Sequence, residues 1–156
     1  MFTIKVDDLS HPAVQALVAY HISGMLEQSP PESSHALDVQ KLRDPAVTFW
    51  SIWEGKHLAG IGALKLLDDK HGELKSMRTA PDFLRRGVAS LILRHILQIA
   101  DARGLQRLSL ETGTQKGFAA CHQLYRKHGF VDCEPFADYQ HDPNSRFMSL
   151  VLRGGK

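Results

Sequence analysis

Leu84-Arg85-Arg86-Gly87-Val88-Ala89-Ser90 lies where the hydrophobic period of the chain changes. Upstream, apolar residues alternate with polar ones as in strands. Downstream, Val88, Leu91, Ile92, Ile96, Ile99 and Ala100 recur at helical spacing, and Gly104 supplies a stop. A strand-turn-helix junction of this kind suits an anion, because the first helical turn has unpaired N–H groups and the positive end of the dipole. Gly87 and Ala89 are small where a backbone must come close to a ligand. Arg85 and Arg86 add charge for phosphate. On spacing alone, the stretch reads equally as a helix start with a solvated Arg pair and a chance glycine. It is not a Walker A loop, which ends in Lys-Ser/Thr, nor a dinucleotide-binding turn with three glycines. Gly60-Ile61-Gly62 is only a fragment of the latter and reads as close strand packing.

Working outward, Val47 to Glu54, His57 to Leu67 and Glu73 to Thr79 form an expected antiparallel meander, with turns at Glu54-Gly55-Lys56 and Asp68 to Gly72. Pro81 closes it. Phe2, Ile4 and Val6 alternate as a first strand. Ser10 is the expected cap of a helix with Pro12 in its first turn, continued by Val14, Leu17, Val18, His21, Ile22 and Met25 and stopped near Ser29-Pro30-Pro31. A shorter helix is expected over Ala36 to Arg43. Beyond Gly104, Arg107 to Thr112 alternates as a strand, Phe118 to His128 reads as a helix ended by Gly129, and strands follow at Phe130 to Glu134 and Arg146 to Leu152. The order predicts an α/β fold with one mixed, partly parallel sheet of six to seven strands flanked by about four helices.

The chain has 156 residues, 43% of them apolar, which predicts one domain over 1–156 with a core that needs no metal or disulfide. A net charge of +2 is too balanced for a nucleic-acid coat. No apolar run reaches the ~18–20 residues of a membrane helix, and Met1 to Asp8 does not resemble a signal peptide. Cys121 and Cys133 fit a reducing cytoplasm better than a disulfide framework. Nine histidines are scattered without zinc spacing, so no metal site is expected. The charge is unevenly placed: Lys75 to Lys127 holds 10 Lys/Arg against 3 Asp/Glu, and the rest 9 against 14.

Two motifs resemble those of the GNAT superfamily of acetyl-CoA-dependent N-acetyltransferases, as in a small stand-alone bacterial-type member. The family's pyrophosphate motif is Gln/Arg-x-x-Gly-x-Gly/Ala. Here Gly87 and Ala89 match its fourth and sixth positions, and Leu84 departs from its first. Downstream, Leu124-Tyr125-Arg126-Lys127-His128-Gly129-Phe130 matches Leu-Tyr-x-x-x-Gly-Phe, in the family's order. The resemblance covers nearly the whole chain in element order and residues 72 to 130 in motifs.

It implies a GNAT-like fold and acetyl transfer to a primary amine of a small molecule or amino acid, by direct attack in a ternary complex. The backbone of Ser76, Met77, Arg78 and Thr79 would pair with the pantetheine arm, and the Met77 N–H would polarise the thioester carbonyl. The turn Leu84 to Ser90, including Val88, would hold the pyrophosphate of coenzyme A. Tyr125 would be the general acid for the departing thiolate, or else a core tyrosine. An amine needs a base. Glu73 occupies the place of a catalytic glutamate in the histone acetyltransferase branch, and Glu111 is its rival. An extended strand would put Glu73, Lys75 and Met77 on one face, and the plain alternative for Glu73 is a surface ion pair with Lys75 or Arg78. Adjacent Cys121 and His122 point about 100° apart on a helix, so Cys121 reads as packing and not as a nucleophile.

For the acceptor, the loops around Ser29, Glu32 and His35 and around Tyr139 and Asn144, with Thr112, are the candidates. A small amine or amino-acid-like acceptor is expected, with no nucleic-acid or membrane partner. Homodimerisation is common in the family. Alternatives are acetylation of a protein amine, or a non-catalytic acyl-CoA-sensing or protein-interaction module on the same fold.

Overall fold

A computed structural model describes residues 1–28, 39–114, 119–137 and 139–152. Strand β1 (Phe2–Val6) leads to helix α1 (Pro12–Gln28) and the short α2 (Val39–Leu42). Strands β2 (Val47–Glu54), β3 (His57–Leu66) and β4 (His71–Thr79) form the meander. A 3-10 turn at Pro81–Phe83 precedes α3 (Val88–Ala102). Then come β5 (Arg107–Gly113), α4 (Ala119–Lys127), β6 (Val131–Asp132) and β7 (Ser145–Val151). The seven strands form one sheet in the order β1-β2-β3-β4-β5-β7-β6, in which β4 and β5 are the parallel pair. The mixed sheet and its flanking helices are those the sequence predicts.

Four local expectations change. The cap of α1 is His11, whose Nδ1 accepts the Ala13 N–H at 3.0 Å, while Ser10 turns back to Asp8. β4 begins at His71, two residues early, because Arg107 of the parallel β5 pairs there. β6 shrinks to two residues, since Phe130 leaves the strand to fill the core. Its N–H still closes α4 by bonding to the Tyr125 carbonyl, past Gly129 at φ +97°. Of the Ala36–Arg43 helix, Val39–Leu42 is observed, and 36–38 lie outside the described residues.

The sheet is buried on both sides. Leu9, Val14, Leu17, Val18, Leu42, Phe49, Ile61 and Ala63 pack one core between the sheet and the α1/α2 layer. Trp50, Ile52, Leu64, Leu74, Ile92, Ile96, Leu110 and Tyr125 pack the other, under α3 and α4. Gly60 and Gly62 let α3 lie close on β3: a Cβ at Gly62 would stand 2.9 Å from Met77 Sδ and 3.1 Å from Ile92 and Ile96. The predicted close packing at these glycines is therefore between strand and helix.

One irregularity positions everything that follows. Against β3, Ala63 pairs with Lys75 and Ile61 with Arg78, so Ser76 and Met77 together oppose Gly62. This is a β-bulge, and Ser76 occupies the left-handed region at φ +56°. The bulge bends β4 away from β5. Their pairing ends at Leu74 and Leu110, and past that point the two parallel strands diverge.

Candidate active site

The divergence opens a cleft of about 430 Å³ between β4, β5, the turn before α3, and α4. Beyond Leu74, the edge of β4 facing the gap has no strand partner among the described residues, so an extended chain could pair with its backbone. Ser76, Met77, Arg78 and Thr79 line this edge.

At one end lies the anion cradle. Gly87 caps α3 at φ +78°, and Arg85 is also left-handed at φ +64°. The first helical bond runs from the Leu91 N–H to the Gly87 carbonyl, so the N–H groups of Val88, Ala89 and Ser90 have no partner within the helix. A Cβ at Gly87 would meet nothing within 4 Å. Glycine is required there by the backbone conformation and by open approach, not by packing. Leu84, Arg85, Gly87, Val88, Ala89 and Ser90 all line the cleft, and Ser90 Oγ lies 3.1 Å from His128 Nε2. Arg86 is the exception. Its guanidinium pairs with Glu54 at 2.7 Å and stacks over Phe2 and Phe83, away from the cleft. The expected phosphate charge of its side chain is thus a correction: only its backbone remains at the turn. Unpaired N–H groups, an arginine and an open strand edge fit a long phosphate-bearing ligand such as coenzyme A.

The other end lies on the α1 face. Paired residues of adjacent strands share a face. Lys75 and Arg78, opposite Ala63 and Ile61, therefore point toward α1, as does Glu73 opposite Lys65. Met77 points to α3 instead. The expectation that Glu73, Lys75 and Met77 share a face fails because the bulge inserts a residue after Lys75. Glu73 is buried, and its Oε2 accepts from Lys75 Nζ at 3.0 Å and from the Tyr139 hydroxyl at 2.5 Å. Lys75 Nζ also donates to that hydroxyl at 2.8 Å. The Glu73–Lys75 pair foreseen as a surface contact is buried, with side-chain exposures of 3% and 8%. Burial, and then Glu73, raise the Tyr139 pKa far above the phenol range.

Glu111 lines the cleft from β5, half-buried, and accepts a hydrogen bond from Ser145 Oγ at 2.8 Å. Thr112 lines it as well. Tyr139 and Asn144 do not. Tyr139 stacks on Phe136 and Phe147 behind Glu73, and Asn144 ties its loop to β5 by accepting the Thr114 N–H. Ser29, Glu32 and His35 lie outside the described residues.

Tyr125 reaches the cleft from α4. Its ring packs on Phe130, it is 7% exposed, and among the described residues nothing bonds its hydroxyl. Burial, and next Cys121, push its pKa well above the phenol range, with Arg78 pulling the other way. The hydroxyl therefore keeps its proton at neutral pH. Cys121 lies one turn earlier and also lines the cleft, which corrects its reading as helix packing.

His21 and Lys75 line the cleft and were not among the expected site residues. The signal for His21 was a titratable residue on an otherwise apolar helical face, four residues after Leu17. Arg78 was expected to act through its backbone, yet its guanidinium also enters the cleft region, donating from Nε to His21 Nδ1 at 3.0 Å.

Known proteins share this fold and much of this sequence. Residues 14–130 match the family model for the GNAT acetyltransferases. The chain is 84% identical over 152 residues, 97% of its length and 96% of the other's, to the uncharacterised N-acetyltransferase YedL of Escherichia coli. It is 56% identical to the uncharacterised N-acetyltransferase YsnE of Bacillus subtilis, covering 96% of this chain and 99% of that one. A crystal structure from Klebsiella pneumoniae, named for an expected acyl-CoA N-acyltransferase activity, superposes with a TM-score of 0.79 at 27% identity, covering 98% of this chain and 99% of that one.

Proposed function

The chain belongs to the GNAT acetyltransferase family and is an N-acetyltransferase, and from that premise we propose that it moves an acetyl group from acetyl-CoA to the primary amine of a small molecule. The observation that carries this reading is the open edge of β4 leading from the N–H cradle at Val88–Ser90 to the Tyr125 hydroxyl. Acetyl-CoA, when bound, supplies an activated thioester. The protein's own groups do the rest. The N–H groups of Val88, Ala89 and Ser90 hold the pyrophosphate, and the β4 edge from Ser76 to Thr79 aligns the arm. The Met77 N–H stabilises the negative charge that grows on the carbonyl oxygen. Tyr125, protonated at neutral pH, gives its proton to the departing sulfur.

For the base, Glu111 moves ahead of Glu73. Glu73 Oε2 already accepts from Lys75 Nζ and from the Tyr139 hydroxyl, so that oxygen is occupied. Glu111 faces the same side of the sheet and is more open to the cleft. It would take a proton from the acceptor ammonium and so free the lone pair for attack on the thioester. Two free thiols, and the absence of any helix long and apolar enough to cross a membrane among the described residues, accord with a cytoplasmic setting.

The test is calorimetric titration with acetyl-CoA, followed by thiol release across an amine panel. Saturable binding and release with at least one amine are expected; no binding at millimolar acetyl-CoA would sink the reading. In Gly87→Val, the left-handed backbone disfavours a branched residue and the side chain covers the cradle. Its affinity for acetyl-CoA should fall at least ~10-fold, the equivalent of about 1.4 kcal/mol.

A further inference from the structure

Arg78 stands three residues from Lys75, an odd separation that would put them on opposite faces of a regular strand. The bulge at Ser76 places both on the α1 face. What holds Arg78 there is distinctive. Nε donates to His21 Nδ1 at 3.0 Å, Nη2 leans on the His21 carbonyl at 3.5 Å, and the guanidinium lies 5.5 Å over the Tyr20 ring. Every one of these partners is uncharged. His21 is neutral because burial, then the charges of Arg78 and Lys75, push its pKa down to about 3.

The other cations near the cleft are differently placed. Lys75 has Glu73, Arg86 has Glu54, and Arg85 belongs to the anion cradle before α3. Among the described residues, no carboxylate pairs with Arg78. Its tethers orient the guanidinium without neutralising it, and they leave its Nη1 donors for something else. A half-buried fork of this kind matches a carboxylate. The cofactor's pyrophosphate is not the natural claimant, because the unpaired N–H groups of α3 lie on the opposite face of the sheet.

We propose that Arg78 is the acceptor-specificity residue and binds the carboxylate of an amine that carries one, so that the acceptors are amino acids and amino-acid-like zwitterions, not polyamines or simple monoamines. Glu111, which lines the cleft on the same face, supplies a carboxylate for the ammonium end. Lys75 is committed to Glu73 and Tyr139 and serves to hold Glu73 in place. The chain's positive segment then serves two anions, the cofactor on one face and the acceptor carboxylate on the other.

This rests on the N-acetyltransferase reading, so its test reads binding separately from turnover. Protein saturated with coenzyme A is titrated calorimetrically with each of the twenty amino acids and with their decarboxylated amines. At least one amino acid should bind, and its decarboxylated partner should bind ~10- to 100-fold more weakly, the range for a charge-assisted hydrogen bond to a partly buried group. Arg78→Met, which keeps the backbone that pairs with the arm, should erase that difference. Arg78→Lys, with charge but no fork, should fall between. The proposal is overturned if no amino acid binds, if amines bind as well as their parent amino acids, or if Arg78→Met weakens acetyl-CoA and leaves amino-acid binding unchanged. Absence of thiol release would count against the enzymatic reading alone, since the binding difference is measured without it.

Discussion

The two faces of the split sheet are built by different means. On the α3 face, the cleft is made of backbone: N–H groups of Val88 to Ser90, the left-handed Gly87 and the unpaired edge of β4. On the α1 face, it is made of side chains, with Glu73, Lys75 and Tyr139 locked together and Arg78 tethered to His21. Backbone can grip what every reaction of this kind shares. Side chains can select what differs from one protein to the next. If that division is right, variants on the two faces should fail in different currencies, affinity for the cofactor on one and choice of acceptor or stability on the other.

Tyr125 reaches the cleft from the α3 and α4 side, and its loss should have the largest effect. Tyr125→Phe should lower kcat ~10²–10⁴-fold and leave acetyl-CoA affinity and thermal stability nearly unchanged. Nothing among the described residues bonds the hydroxyl, so its removal strands no partner. A large drop in Tm with an unchanged kcat would assign Tyr125 to the core.

The two glutamates should separate next. Glu73→Gln leaves the Lys75 ammonium in a buried site without its counter-charge, which should cost about 3 kcal/mol of stability. Glu111→Gln keeps an acceptor for Ser145 and should change stability by less than about 1 kcal/mol while lowering kcat. Denaturant unfolding of both variants beside steady-state rates decides it. A stable but inactive Glu73→Gln would restore Glu73 as the base.

Most of the α3 face was legible in the sequence, because backbone function leaves a residue signature. Gly87 and Ala89, read together with Leu124 to Phe130, match two family motifs in order, which spacing alone left open. The side-chain face was hidden by one residue. Nothing in Leu74-Lys75-Ser76-Met77 marks Ser76 as left-handed, and with a period of two every position past a bulge is assigned to the wrong side. Met77 was misplaced for that reason. Arg86 was misjudged for another: Glu54 and Phe2, which turn its guanidinium away, are distant in sequence and close only in the folded sheet.

Acid should weaken the fold most through His21 on the side-chain face. His21 is held at a pKa of about 3, against ~6.5 for a free imidazole, so the unfolded chain binds its proton first. Its contribution is therefore intact above pH ~6.5 and declines as pH falls from there toward 3. Between pH 7 and 5 the loss should be about 2 kcal/mol. His71, His122 and His128 are shifted the same way, each first by burial, and add to the trend. His21→Gln, which can still accept from Arg78, should flatten the profile measured by urea unfolding. An identical slope in parent and variant would place the acid sensitivity elsewhere.

The smallest effect belongs to the residue that creates both faces. Ser76 is left-handed, 7% exposed, and its Oγ is buried without a partner among the described residues. A non-glycine residue in that conformation costs about 1–2 kcal/mol, and a stranded hydroxyl adds to the strain. Glycine removes both terms and gives back about 0.5–1 kcal/mol through the greater freedom of the unfolded chain. Ser76→Gly should therefore be more stable than the parent by about 1 kcal/mol, with the bulge, kcat and acceptor preference intact. If it were less stable, Ser76 Oγ would have to be gaining something in solution that offsets both terms, and the bulge would owe its shape to the serine itself. If it were more stable but had lost acceptor preference, glycine's freedom would have loosened the register that puts Arg78 beside His21. The two faces would then depend on a rigid bulge, and not merely on an extra residue.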